Sequence, residues 1–118
     1  MHGLDLDSSA ERDVGLLRLE GEARVESTEV LRDAIRGLQN EGCRAVLLDL
    51  GKLSFMDSAS AGTLLQAKQE IEAADGGVLV LFGLTRMVAR LLDSAGLADH
   101  FVVAASEEAA RLRVSGGL

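Results

Sequence analysis

The sequence lacks proline, tryptophan and tyrosine, and its 118 residues include only three phenylalanines and one cysteine. With so few aromatic side chains, the core must consist of Leu, Val and Ala, a composition that suits helices layered on a sheet. Cys43 has no second cysteine for an internal disulfide, and no apolar run approaches the roughly 18 residues that span a bilayer. The chain opens without a signal-peptide pattern. We therefore expect a cytoplasmic protein without membrane insertion.

Positive charge is also scarce. The chain has 12 Lys and Arg residues and 19 Asp and Glu residues, which gives a net charge of -7 at pH 7. Such an acidic chain repels phosphate backbones, and its few aromatic side chains cannot form a base-stacking platform. His2 and His100 lack the spacing of metal ligands. The sequence therefore predicts no nucleic-acid partner, no metal site and no cofactor.

Hydrophobic periodicity predicts strands and helices that alternate after a leading hairpin. Leu4 and Leu6 alternate with aspartates as a short strand, and the apolar run at residues 14–19 predicts a second strand that Gly21 ends. A loop is predicted at residues 51–56. Further strands are predicted at residues 45–50, 78–82 and 101–103, and helices at 27–42, 58–76, 85–96 and from 106 onward.

This order of elements predicts a single α/β domain over residues 1–118. We expect a mixed, mostly parallel sheet of four to five strands, with right-handed crossovers and about four helices packed largely on one side. No linker or internal repeat divides the chain.

The segment at residues 52–62 is the candidate functional site, because functional groups in an open α/β sheet gather where strands end and helices begin. Asp57, Ser58 and Ser60 crowd around a predicted helix N-terminus, whose unpaired amides carry about half a positive charge. In the simpler interpretation, Asp57 or Ser58 caps the helix and contributes about 1 kcal/mol. A phosphate on Ser58 is also well placed there.

Several motifs give the chain a resemblance to a known family. The segment LSFMDSASAG at residues 53–62 resembles the FMDSSGLG signature of anti-sigma-factor antagonists, the STAS-domain proteins of bacterial partner-switching pathways. The LxGE turn at residues 19–22, the DL pair at 49–50 and the SAGL at 94–97 are similar to further family motifs. Ser58 falls on the family's phosphorylated serine. The resemblance implies a STAS-like fold and a transcription regulator that is not an enzyme.

The resemblance further implies a switch with two protein partners. With Ser58 free, the protein binds an anti-sigma factor serine kinase and releases the sigma factor; phosphorylation of Ser58 abolishes binding, and a serine phosphatase resets it. Phosphorylation adds about -1.5 to -2 charges beside Asp57. A cost of several kcal/mol lowers the affinity at least about a hundredfold, at about 1.4 kcal/mol per tenfold.

Four residues depart from the family pattern. Ala59 replaces a second serine, Ser60 a glycine and Ala61 a leucine, while Arg24 stands where an aspartate usually follows the LxGE turn. Ser60 is therefore the runner-up phosphorylation site. Arg24 either pairs with Asp57 or a phosphate, or it is a solvated surface arginine. The residues expected to contact the partner are Arg24, Met56, Asp57, Ser58, Ala59, Ser60 and Ala61.

Other classes of function stay open at this point. Related domains serve, without reversible phosphorylation, as stressosome-like scaffolds or as subunits of membrane-transport complexes, and the DSASAG pattern resembles the stressosome relatives. An enzyme that used Ser58 as its nucleophile would need a general base, and the only histidines are His2 and His100. Cys43, at the entrance of a strand, is expected to be inert.

Overall fold

A computed structural model describes residues 3–115, which form a five-stranded sheet with helices on both faces. The strands lie side by side in the order of the chain. The first pair is antiparallel and the other three pairs are parallel. The elements are β1 (Leu4–Glu11), β2 (Val14–Ala23), a 3₁₀ turn (Val25–Ser27), α1 (Thr28–Asn40), β3 (Ala45–Met56), α2 (Ser58–Ala73), β4 (Val78–Phe82), α3 (Arg86–Ser94), a second 3₁₀ turn (Ala98–His100), β5 (Val102–Ala104) and α4 (Glu107–Ser115).

Two apolar clusters hold the helices to the sheet. Alternate strand residues such as Leu48 and Leu81 face α1, α2 and α3 in the larger cluster. Their neighbours Leu47 and Val80 face the opposite side of the sheet, where α4 buries Ala110 and Val114 against them. The structure thus confirms the mixed, mostly parallel sheet with its helices largely on one side. No helix within residues 3–115 combines the length and the apolar character needed to cross a membrane.

The third strand is longer than the sequence predicts. The predicted loop at residues 51–56 is wrong, because β3 continues to Met56 and pairs with the second half of β2 through two register shifts. Correspondingly, β2 runs past Gly21, the residue predicted to end it, as far as Ala23. The breaks in the apolar pattern do not end these strands, since each supplies the other with hydrogen-bonding partners. The extension carries the start of α2 to the end of β2.

Candidate functional site

Ser58 is exposed to solvent as the first residue of α2. The helix begins there because Asp57 is extended and its Oδ1 accepts a hydrogen bond from the amide of Ser60 at 2.9 Å. Asp57 is therefore the N-cap, which decides between the two cap residues that the sequence allowed. The hydroxyl of Ser58 lies outside the cap, at the end of the helix where free amides and the dipole favour an anion.

The Asp57 carboxylate also joins two segments that lie far apart in the chain. Its Oδ2 accepts a hydrogen bond from the amide of Val25 at 2.8 Å, while its own amide donates to the carbonyl of Ala23 at 3.0 Å. The end of β2, the 3₁₀ turn and the first turn of α2 are thus fixed to one side chain. This connection holds Ser58 in a defined place relative to the 3₁₀ turn.

These contacts lower the pKa of Asp57. Partial burial favours the neutral form and raises the pKa, but hydrogen bonds from Ser60 and Val25 outweigh it, with help from the positive charge of Arg24. The group is therefore ionised at neutral pH, as a carboxylate that accepts two amide hydrogen bonds should be.

We expect Asp57→Ala to lower the free energy of unfolding by about 1–2 kcal/mol at neutral pH, because two amides lose their acceptor. Asp57→Asn retains cap function and should lower the free energy of unfolding by less.

The stabilisation by Asp57 should also depend on pH. Since ionised Asp57 stabilises the fold above its unfolded pKa of about 3.9, that stabilisation disappears as pH falls through the lower folded pKa. Urea unfolding between about pH 5 and pH 3 measures this, and the difference between wild type and Asp57→Asn should shrink on acidification.

The matched control is Asp93→Asn, which changes an exposed carboxylate of α3. It should alter stability little at either pH. A difference between wild type and Asp57→Asn that did not change with pH would contradict the assignment of the Asp57 carboxylate as an ionised cap.

Arg24 does not pair directly with Asp57, one of the two partners that the sequence suggested for it. Its Nε donates to Glu22 Oε1 at 3.0 Å, and its guanidinium carbon lies 4.3 Å from the centre of the Phe55 ring. The side chain is 44% exposed. Arg24 therefore sits beside Asp57 and acts on it through its charge, while its direct ion pair is with its neighbour on β2.

Three predicted contact residues lie in the interior. Met56, Ser60 and Ala61 are at most 2% exposed, so their side chains do not reach the surface offered to a partner. Among residues 3–115, the Oγ of Ser60 is buried without a hydrogen-bond partner. The structure thus corrects the choice of Ser60 as runner-up phosphorylation site, because the first turn of α2 directs this hydroxyl into the protein. Ser58 and Ala59 are exposed.

Sequence reasoning missed two exposed apolar side chains, one in the 3₁₀ turn beside the start of α2 and one in the first turn of α1. Val25 is 57% exposed and Val30 is 55% exposed, and the amide of Val25 is the group held by Asp57. The signal in the sequence was two valines within an otherwise polar stretch. We call Val25, Val30, Ser58 and Ala59 the switch surface.

Cys43, His2 and His100 are the other residues whose reactivity the sequence raised. Cys43 is buried, and burial raises the pKa of its thiol, with added effects from nearby acidic groups. His100 is exposed, and His2 lies outside the described residues. Within residues 3–115, no three His, Cys, Asp or Glu side chains are grouped to hold a metal ion.

The chain is similar to a known protein family, to a curated protein and to solved structures. Residues 6–110 match the family model described as the STAS domain. The anti-sigma F factor antagonist of Paenibacillus polymyxa is 30% identical over 95 residues, which are 80% of this chain and 80% of that protein. The unphosphorylated anti-sigma factor antagonist SpoIIAA has a TM-score of 0.78 at 28% identity, covering 98% of this chain and 99% of the other. Phosphorylated SpoIIAA, a Bacillus cell fate determinant, has a TM-score of 0.69 at 27% identity, covering 95% and 99%.

Proposed function

This chain belongs to the STAS domain family, and on that premise we propose that it is a single-domain, phosphorylation-regulated anti-sigma factor antagonist. Unphosphorylated, it binds an anti-sigma factor serine kinase in the cytoplasm, and the sigma factor is released. The kinase transfers the γ-phosphoryl group of ATP to the Oγ of Ser58, with ADP and the hydroxyl proton as the other products. The phosphorylated protein dissociates, and a serine phosphatase hydrolyses the phosphoserine. The protein is a substrate in this cycle and not an enzyme.

The exposed position of Ser58 on the first turn of α2 is the observation that carries the proposal. A kinase has access to this hydroxyl, in contrast to the buried hydroxyl of Ser60 two residues later. The relatives add support, because one is named an anti-sigma F factor antagonist and SpoIIAA has been solved with and without phosphate.

The surroundings of Ser58 suit a contact that phosphate disrupts. The switch surface offers the apolar side chains of Val25 and Val30, which a partner would bury together with Ser58. Buried in that contact, a phosphate would bring up to two negative charges next to ionised Asp57. Desolvation and like-charge repulsion then weaken the complex, whereas the small hydroxyl group is tolerated.

Phosphopeptide mapping tests the site. We expect an anti-sigma factor serine kinase encoded beside this protein's gene, given ATP, to phosphorylate wild type on Ser58 and to leave Ser58→Ala unmodified. Ser60→Ala is the matched control, because it removes an unpaired buried hydroxyl at little cost to folding. It should be phosphorylated as wild type is. Phosphate found on another residue of Ser58→Ala, at the wild-type level, would contradict the assignment of Ser58.

A further inference from the structure

The main chain of Arg24 is fixed beside the start of α2. Its preceding residue, Ala23, accepts a hydrogen bond from the Asp57 amide, and its following residue, Val25, donates one to the Asp57 carboxylate. Ser27 adds three more bonds, since its amide and hydroxyl donate to the Arg24 carbonyl and its Oγ accepts from the Arg24 amide. The Cα of Arg24 is thereby held on the segment that lies against Asp57, the residue directly before Ser58.

The side chain of Arg24 is held far less firmly. In the described part of the chain it makes one ion pair, through Nε with Glu22, and both side chains are partly exposed. Its terminal nitrogens make no hydrogen bond within residues 3–115. Exposed pairs of this kind contribute little and are readily exchanged. A guanidinium with two uncommitted nitrogens, stacked on Phe55, is therefore available to a stronger acceptor.

Building on the proposed function, we propose that Arg24 is the intramolecular partner of a phosphate on Ser58. On phosphorylation, the guanidinium exchanges the Glu22 carboxylate for two oxygens of the phosphate. Phosphate is the preferred acceptor because it carries up to two charges and matches the planar donor pair of an arginine.

Acidic side chains near Ser58 favour such a cationic partner. Glu22, Glu26 and Asp57 lie on the segments that meet at this point, and each repels a phosphate. Arg24 is the cation whose charge already acts on Asp57. In the exchanged position it holds the phosphate against the protein's own switch surface, so a phosphatase has to displace Arg24 before it can hydrolyse the phosphoserine.

A titration of phosphoserine tests this without any kinase. Phosphoserine is incorporated at position 58 during translation, and ³¹P NMR follows its second ionisation, near pH 6 in free phosphoserine. We expect the wild type to titrate at a pH lower by about half a unit or more than Arg24→Gln, because an adjacent opposite charge favours the dianion. Arg24→Lys, which keeps the charge without the paired donors, should fall between them.

The control variant is Arg113→Gln, which removes the same charge from an exposed position on α4, across the sheet. It should titrate as the wild type does. Equal titration of wild type and Arg24→Gln would overturn the proposal, and so would an equal shift in Arg113→Gln. Because the phosphate is encoded, this result is separate from the kinase experiment, which can fail without affecting it.

Discussion

Ser58→Asp should lower the affinity for the anti-sigma factor serine kinase at least about a hundredfold, while Ser58→Ala should bind as wild type does. The aspartate places a permanent charge on the switch surface, directly after Asp57, which is already ionised. Desolvating an unpaired charge in a contact costs several kcal/mol, and each 1.4 kcal/mol is about tenfold in affinity. Isothermal titration calorimetry with the purified kinase measures the difference.

Misfolding does not explain this expected loss. Position 58 is the first residue of α2, where a negative side chain interacts favourably with the helix dipole. Ser58→Asp should therefore unfold at the wild-type temperature or slightly above it. Leu112→Asp adds the same charge at a 67% exposed position of α4 and should bind the kinase normally.

The opposite result has a definite meaning. If Ser58→Asp bound the kinase as tightly as wild type, the proposed phosphorylation switch would be wrong, and a scaffold role of the stressosome type would be favoured. In that case the complex would also persist after incubation with ATP.

The sequence predicts the elements whose patterns are complete within one segment. The strand expected at residues 78–82 is β4, since a short apolar run between glycines has few alternatives. The start of α2 at Ser58 is likewise visible, because Asp57 is a strong capping residue. Local signals of this kind predict where α2 begins, and with it the positions of Asp57 and Ser58 in the fold.

Contacts between distant segments are the part that the sequence does not reveal. Asp57 caps its own helix and also binds Val25, which lies 32 residues away in the chain. The extension of β3 likewise depends on β2 as a pairing partner. Burial of Ser60 follows from how α2 packs on the sheet. The ion pair of Arg24 with Glu22 joins the residue just after β2 to one at its end.

Gly77→Ala should lower the free energy of unfolding by about 3 kcal/mol or more. A Cβ at this position would overlap the carbonyl group of Ile71 and approach the carbonyl oxygen of Ala74 to 3.2 Å. Both belong to the turn that ends α2, in which Gly77 donates to Ala74 at 3.0 Å. Main chain cannot move aside as a flexible side chain does.

Gly37→Ala makes the same chemical change where space is open. Gly37 lies inside α1, and its added Cβ would meet no atom of the described residues within 4 Å. Alanine is favoured over glycine in a helix by about 1 kcal/mol, so this variant should be slightly more stable than wild type. Urea unfolding of the two variants shows what causes the loss of stability in Gly77→Ala. It distinguishes close contact with the main chain from the flexibility of glycine. If Gly77→Ala lost less than about 1 kcal/mol, the turn after α2 would tolerate a side chain, and the close approach to Ile71 would not constrain the fold.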